Sequence, residues 1–124
     1  MKTLLITLLI SLGLTNSEIN FQQDQDQDKG IHASWNVLLQ QYVDADGNVD
    51  YHSWKKSQTD LDKYIQLLEK TPPANYWDKN DSLAYFINAY NAVTVKLILD
   101  NYPLKSIRDI KDPWDSKSLN LPNN

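Results

Sequence analysis

Cysteine is absent from this chain of 124 residues. That excludes a disulfide framework, removes the thiolate from the available nucleophiles, and rules out lipid attachment through a cysteine at a leader cut. Histidine is scarce: only His32 and His52 occur. A metal site wants more ligands than that at matched spacing, and both are read as surface histidines, one at a helix start and one beside a turn. Glycine is rare too, with 3 residues. None makes an elbow around Ser53, Ser57 or Ser82, so a serine hydrolase has little support. Basic charge is in deficit, with a formal net charge of −4. Affinity for phosphate backbones depends on clustered Lys and Arg, so nucleic acid is not an expected partner. No cofactor follows from any of these patterns.

Long apolar runs are also few. The first, from Leu4 to Leu14, is shorter than the roughly 20 residues that a bilayer span needs. Lys2 precedes it, and Thr15 and Ser17 stand at −3 and −1 of a cut before Glu18. Residues 1–17 therefore read as a signal peptide, which makes the protein exported, periplasmic or extracellular, with no transmembrane segment in the mature chain. An uncleaved anchor or a first core helix is the alternative. Residues 18–30, "EINFQQDQDQDKG", alternate Gln and Asp with almost nothing to bury, as in an acidic, solvated linker. The remaining residues, 31–124, form one small domain.

Within the domain, Ile31, Trp35, Leu38, Leu39, Tyr42 and Val43 recur at three- and four-residue steps, one face of a helix ending near Val43. "YVDADGNVDYHSW" follows, with Asp44, Asp46, Asn48 and Asp50 alternating as in a calcium loop. Counted from Asp44, however, the glycine is fourth instead of sixth and position twelve is Lys55 instead of Glu. An Asp-Gly turn fits better, with Gly47 or Asn48 at positive φ and Val49 and Tyr51 brought to the core. A second helical region runs from Trp54 to Leu68, with Thr59 or Asp60 placed to cap a fresh start, until Pro72 and Pro73 end it. Asn80 or Asp81 is placed to cap the longest element, "LAYFINAYNAVTVKLILDNYP", from Leu83 to Pro103. That helix is apolar all round, which predicts burial all round, with only Lys96 and Asp100 marking an exposed stripe. "LKSIRDI" adds a short turn, and Leu119 and Leu121 alternate with polar residues as a strand does at its start.

The segments "YVDADGNVDYHSW", "LAYFINAYNAVTVKLILDNYP", "KSIRDI" and "PWDSK" resemble, in that order, the domain-of-unknown-function 547 family. The resemblance covers about Trp35 to Leu121. Its most specific part is an aromatic residue and Ile before Asn88, two spacers, then Asn91 and Ala92. Fuller members continue into a strand and later Ser-Leu-x-x-Ile-Glu-His and His-x-Ala-Leu-x-Cys segments, none of which is found here. The implied architecture is mainly α in this chain. It would be the front part of an α/β or α+β domain, with a long central buried helix over about 80–101 and the start of a strand near 117–121. The family's Cys and His are carried over to no residue of this sequence.

Asn88 and Asn91 are the candidate binding residues, read as buried amides. A buried carboxamide must find partners or cost about 1–3 kcal/mol for each unpaired group. These two would satisfy neighbouring loops, or support a site completed by the rest of the domain. Trp35, Tyr42, Trp54, Tyr64, Trp77, Tyr85, Phe86, Tyr90 and Trp114 would line a carbohydrate or peptide groove or, more simply, form the core. Two expectations result. One is an exported helical module with a binding or scaffold role and no catalytic activity of its own. The other is the N-terminal half of a Cys/His-dependent hydrolase-like or transferase-like domain, whose partner would be the missing C-terminal half.

Overall fold

The computed structural model describes residues 30–113. The chain divides after Gly30, and the unit that begins at Ile31 is the one described below. The strand expected near 117–121 and Trp114 lie outside the described residues. The fold is mainly helical: α1 (Ala33–Tyr42), α2 (Tyr51–Lys55), α3 (Thr59–Lys70), α4 (Lys79–Asp100) and a 3-10 turn (Ile107–Asp109). Among the described residues β pairing is limited to an isolated antiparallel bridge between Val43 and Val49.

The apolar periodicity of α1 places Ile31, Trp35, Leu38 and Tyr42 in the core. The chain then reverses over the Asp-Gly turn. Gly47 takes φ +86°, while Asp44 Oδ1 accepts from the N–H groups of Asp46 at 3.0 Å and Asn48 at 2.9 Å. These bonds replace the backbone ladder that a turn cannot make. Val49 and Tyr51 pack against the core as expected. Asp50 caps α2 by accepting from Ser53 N–H at 3.0 Å, so helix begins before Trp54, the residue at which periodicity first shows it. The fresh start at Thr59 is real, but its N-cap residue is Gln58, which makes no side-chain cap bond. α3 buries Leu61, Tyr64, Ile65 and Leu68, and the expected stop falls at Thr71 just before the two prolines.

α4 starts earlier than Asn80 or Asp81 would place it, because Asp78 is the cap and accepts from Asp81 N–H at 2.7 Å. Asp81 instead sits in the first turn, where a carboxylate favours the helix dipole. Tyr85, Ala89, Ala92, Val95 and Leu99 form the buried side of α4, against which α2 and α3 pack. The Tyr85 hydroxyl donates to the Leu68 carbonyl at the end of α3, and Lys55 Nζ donates to the Leu99 carbonyl at 2.6 Å. Both satisfy C-terminal carbonyls that helix geometry leaves without partners.

Burial all round is not found. Leu83, Ile87 and Tyr90 are 55%, 52% and 58% exposed. The physical reason is that α4 carries two apolar stripes, and the packed helices cover one of them. The Lys96–Asp100 pair forms at 3.2 Å, yet Lys96 does not mark a solvent stripe. Its side chain is 25% exposed and also meets Asp62 at 2.9 Å, fastening α4 to α3. Burial disfavours its charge, but the hydrogen bonds it donates to Asp62 and Asp100 outweigh that and push its pKa up. By length and mean hydropathy α4 also meets the measure of a bilayer-crossing helix, a measure that soluble core helices meet as well.

Candidate functional site

The interior of α4 is a costly place for asparagine, which lies well below alanine in helix propensity. Asn88 and Asn91 therefore need a reason. Neither is a buried amide: Asn88 is half-buried and Asn91 exposed. No hydrogen bond joins either side chain to another described residue. At 100° per residue Asn91 stands between the covered and uncovered stripes of α4, while Asn88 falls on the covered side between Val95 and Leu99, where the packed helices leave it half-buried. Both asparagines open into a cleft of about 330 Å³ that α1, α2 and α4 enclose.

The cleft is built from the reversal after α1. Val43 and Val49, held opposite each other by the bridge, contribute aliphatic wall beside Leu39, while Tyr51 and Trp54 come from α2 and Trp35 from α1. Thr94 and Val95 continue the α4 side beyond the two asparagines. Trp54 is fully buried and stacks on Tyr42 with ring centroids 4.6 Å apart. Its indole Nε1–H is buried and finds no acceptor among the described residues. Such a group costs about 1–3 kcal/mol, offset here by the large apolar burial of the ring.

Electrostatically the wall is neutral. Of its residues only Tyr51 titrates, and burial raises its pKa, keeping the hydroxyl protonated. Thr94 Oγ1 donates to the Tyr90 carbonyl at 2.7 Å, so its hydroxyl is left to accept. The available donors thus include the Tyr51 hydroxyl and the two carboxamides, each of which adds two N–H groups and one carbonyl oxygen. A neighbouring cleft along the Asp44 turn and another between α1 and α3 also hold carboxamides, but charged side chains line them, Asp44 and Asp50 in the first and Asp60 and Lys63 in the second. Asp44, on the turn, is already bonded to Asn48, and that contact holds its carboxyl below the ordinary carboxylate range. Asp50 is lowered likewise by Ser53.

The histidines separate. His52 is exposed, as expected of a surface residue. His32 is not a surface histidine: it is half-buried, its Nδ1 lies 2.7 Å from the Tyr64 hydroxyl, and its ring faces Tyr64 and Tyr85. Burial lowers its pKa and raises that of Tyr64. The contact joins the start of α1 to α3, which sequence spacing alone does not reveal. Among the described residues no three or more His, Cys, Asp or Glu side chains gather as a metal site.

Most aromatics are core: Trp35, Tyr42, Trp54, Tyr64 and Tyr85 are buried, with Trp77 and Phe86 packed against them. Sequence reasoning missed Leu83 and Ile87 and named Tyr90 only among the groove or core aromatics, although the i, i+4, i+7 spacing of the three was available as a signal. The meeting of Asn88 and Asn91 with Tyr51 and Trp54 left no local signal, since it depends on how α2 docks. Compared with protein-family models, with curated proteins and with solved structures, the chain finds no match.

Proposed function

We propose that this chain is an exported, non-catalytic module that docks a polypeptide along α4, in a binding or scaffold role. It would form the N-terminal part of a domain resembling the domain-of-unknown-function 547 family. One observation carries this reading: Leu83, Ile87 and Tyr90, each more than half exposed, align on one face of a helix whose other face is core. Single exposed apolar residues such as Val37 and Tyr76 need no account, but three aligned on one rigid element mark a contact surface. The face is also free of charge, because no Asp, Glu, Lys or Arg occurs from Ser82 to Val95. A desolvated charge would weaken such a contact.

The second reading is favoured by the same face together with the motif resemblance. In it the covering polypeptide is a Cys- and His-bearing half that completes a hydrolase-like or transferase-like domain. Both readings require a polypeptide against α4 and differ in what that polypeptide carries.

The test places a photo-crosslinking amino acid at position 87 of the full chain, expressed in its native host. A discrete adduct is expected, absent when the crosslinker sits at exposed position 63 on α3. Identical patterns at both positions, or no adduct at 87, would overturn the reading. Mass spectrometry of the adduct then separates the two readings by the presence of the Cys and His segments.

A further inference from the structure

We infer that the cleft between α1, α2 and α4 binds an extended, uncharged polypeptide segment, read through its main chain by the Asn88 and Asn91 carboxamides. This deepens the docking role of α4 and rests on it. A carboxamide presents the same donor and acceptor pair as a peptide group, so it matches main-chain N–H and C=O together. Asn88 and Asn91 are one helical turn apart, which sets their Cβ atoms about 5–6 Å apart. Peptide groups facing the same side of an extended strand repeat at about 6.6–6.8 Å, close enough for two side chains to reach successive ones. Main-chain recognition of this kind gives affinity, while the apolar walls select side chains.

The rest of the wall narrows the ligand class. Leu39, Val43, Val49 and Val95 offer apolar contact, and among the described residues no acidic, basic or histidine side chain lines the cleft. A carboxylate, phosphate or ammonium entering it would lose water and find no countercharge. A neutral oligosaccharide is the weaker fit, because its many hydroxyls would meet few polar side chains. The cleft is continuous with the docking stripe, since Asn91 follows Ile87 by one turn on the same helix. A single polypeptide would therefore cover the stripe and send an extended segment into the cleft.

The experiment titrates the isotopically labelled full chain with a set of capped pentapeptides built from Val, Leu, Thr and Ala, with cellopentaose in parallel. Saturable shifts of the Asn88 and Asn91 side-chain N–H signals are expected with peptide. Asn88→Ala and Asn91→Ala should each weaken peptide affinity about three- to tenfold, the loss from one ordinary hydrogen bond. Thermal stability should hold, because alanine is the better helix former. Peptides N-methylated on alternate amides should lose the shifts. Absence of peptide shifts, shifts with cellopentaose only, or unchanged peptide affinity in both alanine variants would overturn the inference. If that happens while the adduct at position 87 persists, the cleft assignment falls alone. If the adduct is absent too, the docking reading falls with it.

Discussion

The exposed stripe of α4 makes the most demanding prediction. Replacing Leu83 and Ile87 together by Ser removes two aliphatic side chains that are 55% and 52% exposed in the free chain. Fully burying such a side chain is worth about 1.5–3 kcal/mol, so covering the exposed half of each contributes roughly 1 kcal/mol. Loss of both should therefore weaken docking by about 2 kcal/mol, or roughly 30-fold in affinity. The free chain should lose at most about 2 kcal/mol, because nearly half of each side chain is already covered in it and that half is worth roughly 1 kcal/mol by the same arithmetic. The assay pairs chemical denaturation of the full chain with crosslinking yield at position 90, measured against increasing partner concentration. A stability loss above about 2 kcal/mol would place these residues inside the fold, at the scale of core truncations. Unchanged docking with unchanged stability would refute the stripe as a contact surface.

Four further outcomes follow from single sites. The folded-state pKa of His32 lies below its ordinary value of 6.5, so between those two values the unfolded chain binds more protons than the folded one. Stability should therefore fall as pH drops through that window, and His32→Gln should flatten that part of the melting temperature profile; an unaltered slope would refute it. Trp54→Phe should cost less than the roughly 3–5 kcal/mol of a Trp→Ala truncation, because it also removes the unpaired Nε1–H; a loss of 3 kcal/mol or more in denaturation would mean that this group has an acceptor. Gly47→Ala should destabilise by about 1–2 kcal/mol through positive φ alone, since a Cβ there meets nothing within 4 Å; a neutral result would mean that the turn relaxes. If residues 1–17 are a cleaved leader, N-terminal sequencing of the protein from its native host should begin at Glu18, and a product that retains Lys2 would refute the leader.

The helices were legible in the sequence where local rules decide. Three- and four-residue spacing located α1 and α3, and the glycine of the Asp-Gly turn sits at positive φ as turn chemistry requires. The missed boundaries were decided by which of several competent caps was used. Asp78 captures Asp81 N–H before Asn80 or Asp81 can act as the cap, and Asp50 captures Ser53 N–H, starting α2 ahead of its apolar pattern. His32 was misread for a different reason. Its burial comes from Tyr64 and Tyr85 on distant elements, and tertiary placement of that kind has no local period.

The asparagines show most clearly where composition misleads. A helix apolar all round implies burial all round only if protein is packed on every side, and periodicity counts apolar positions without saying what covers them. On α4 one apolar stripe meets α2 and α3, whereas the other holds Leu83, Ile87 and Tyr90 at the surface. Asn91 occupies the seam between the stripes and half-buried Asn88 the rim of the covered one, and both border the cleft, where a carboxamide can stay solvated in the free chain and still reach a ligand at the edge of the core. Had they been buried within this fold, each would have needed internal partners, and removing one would cost stability first. At the border of the cleft, the same substitution should spare stability and reduce binding. The ratio of those two effects, measured on Asn88→Ala and Asn91→Ala, therefore distinguishes a structural amide from one held available for recognition.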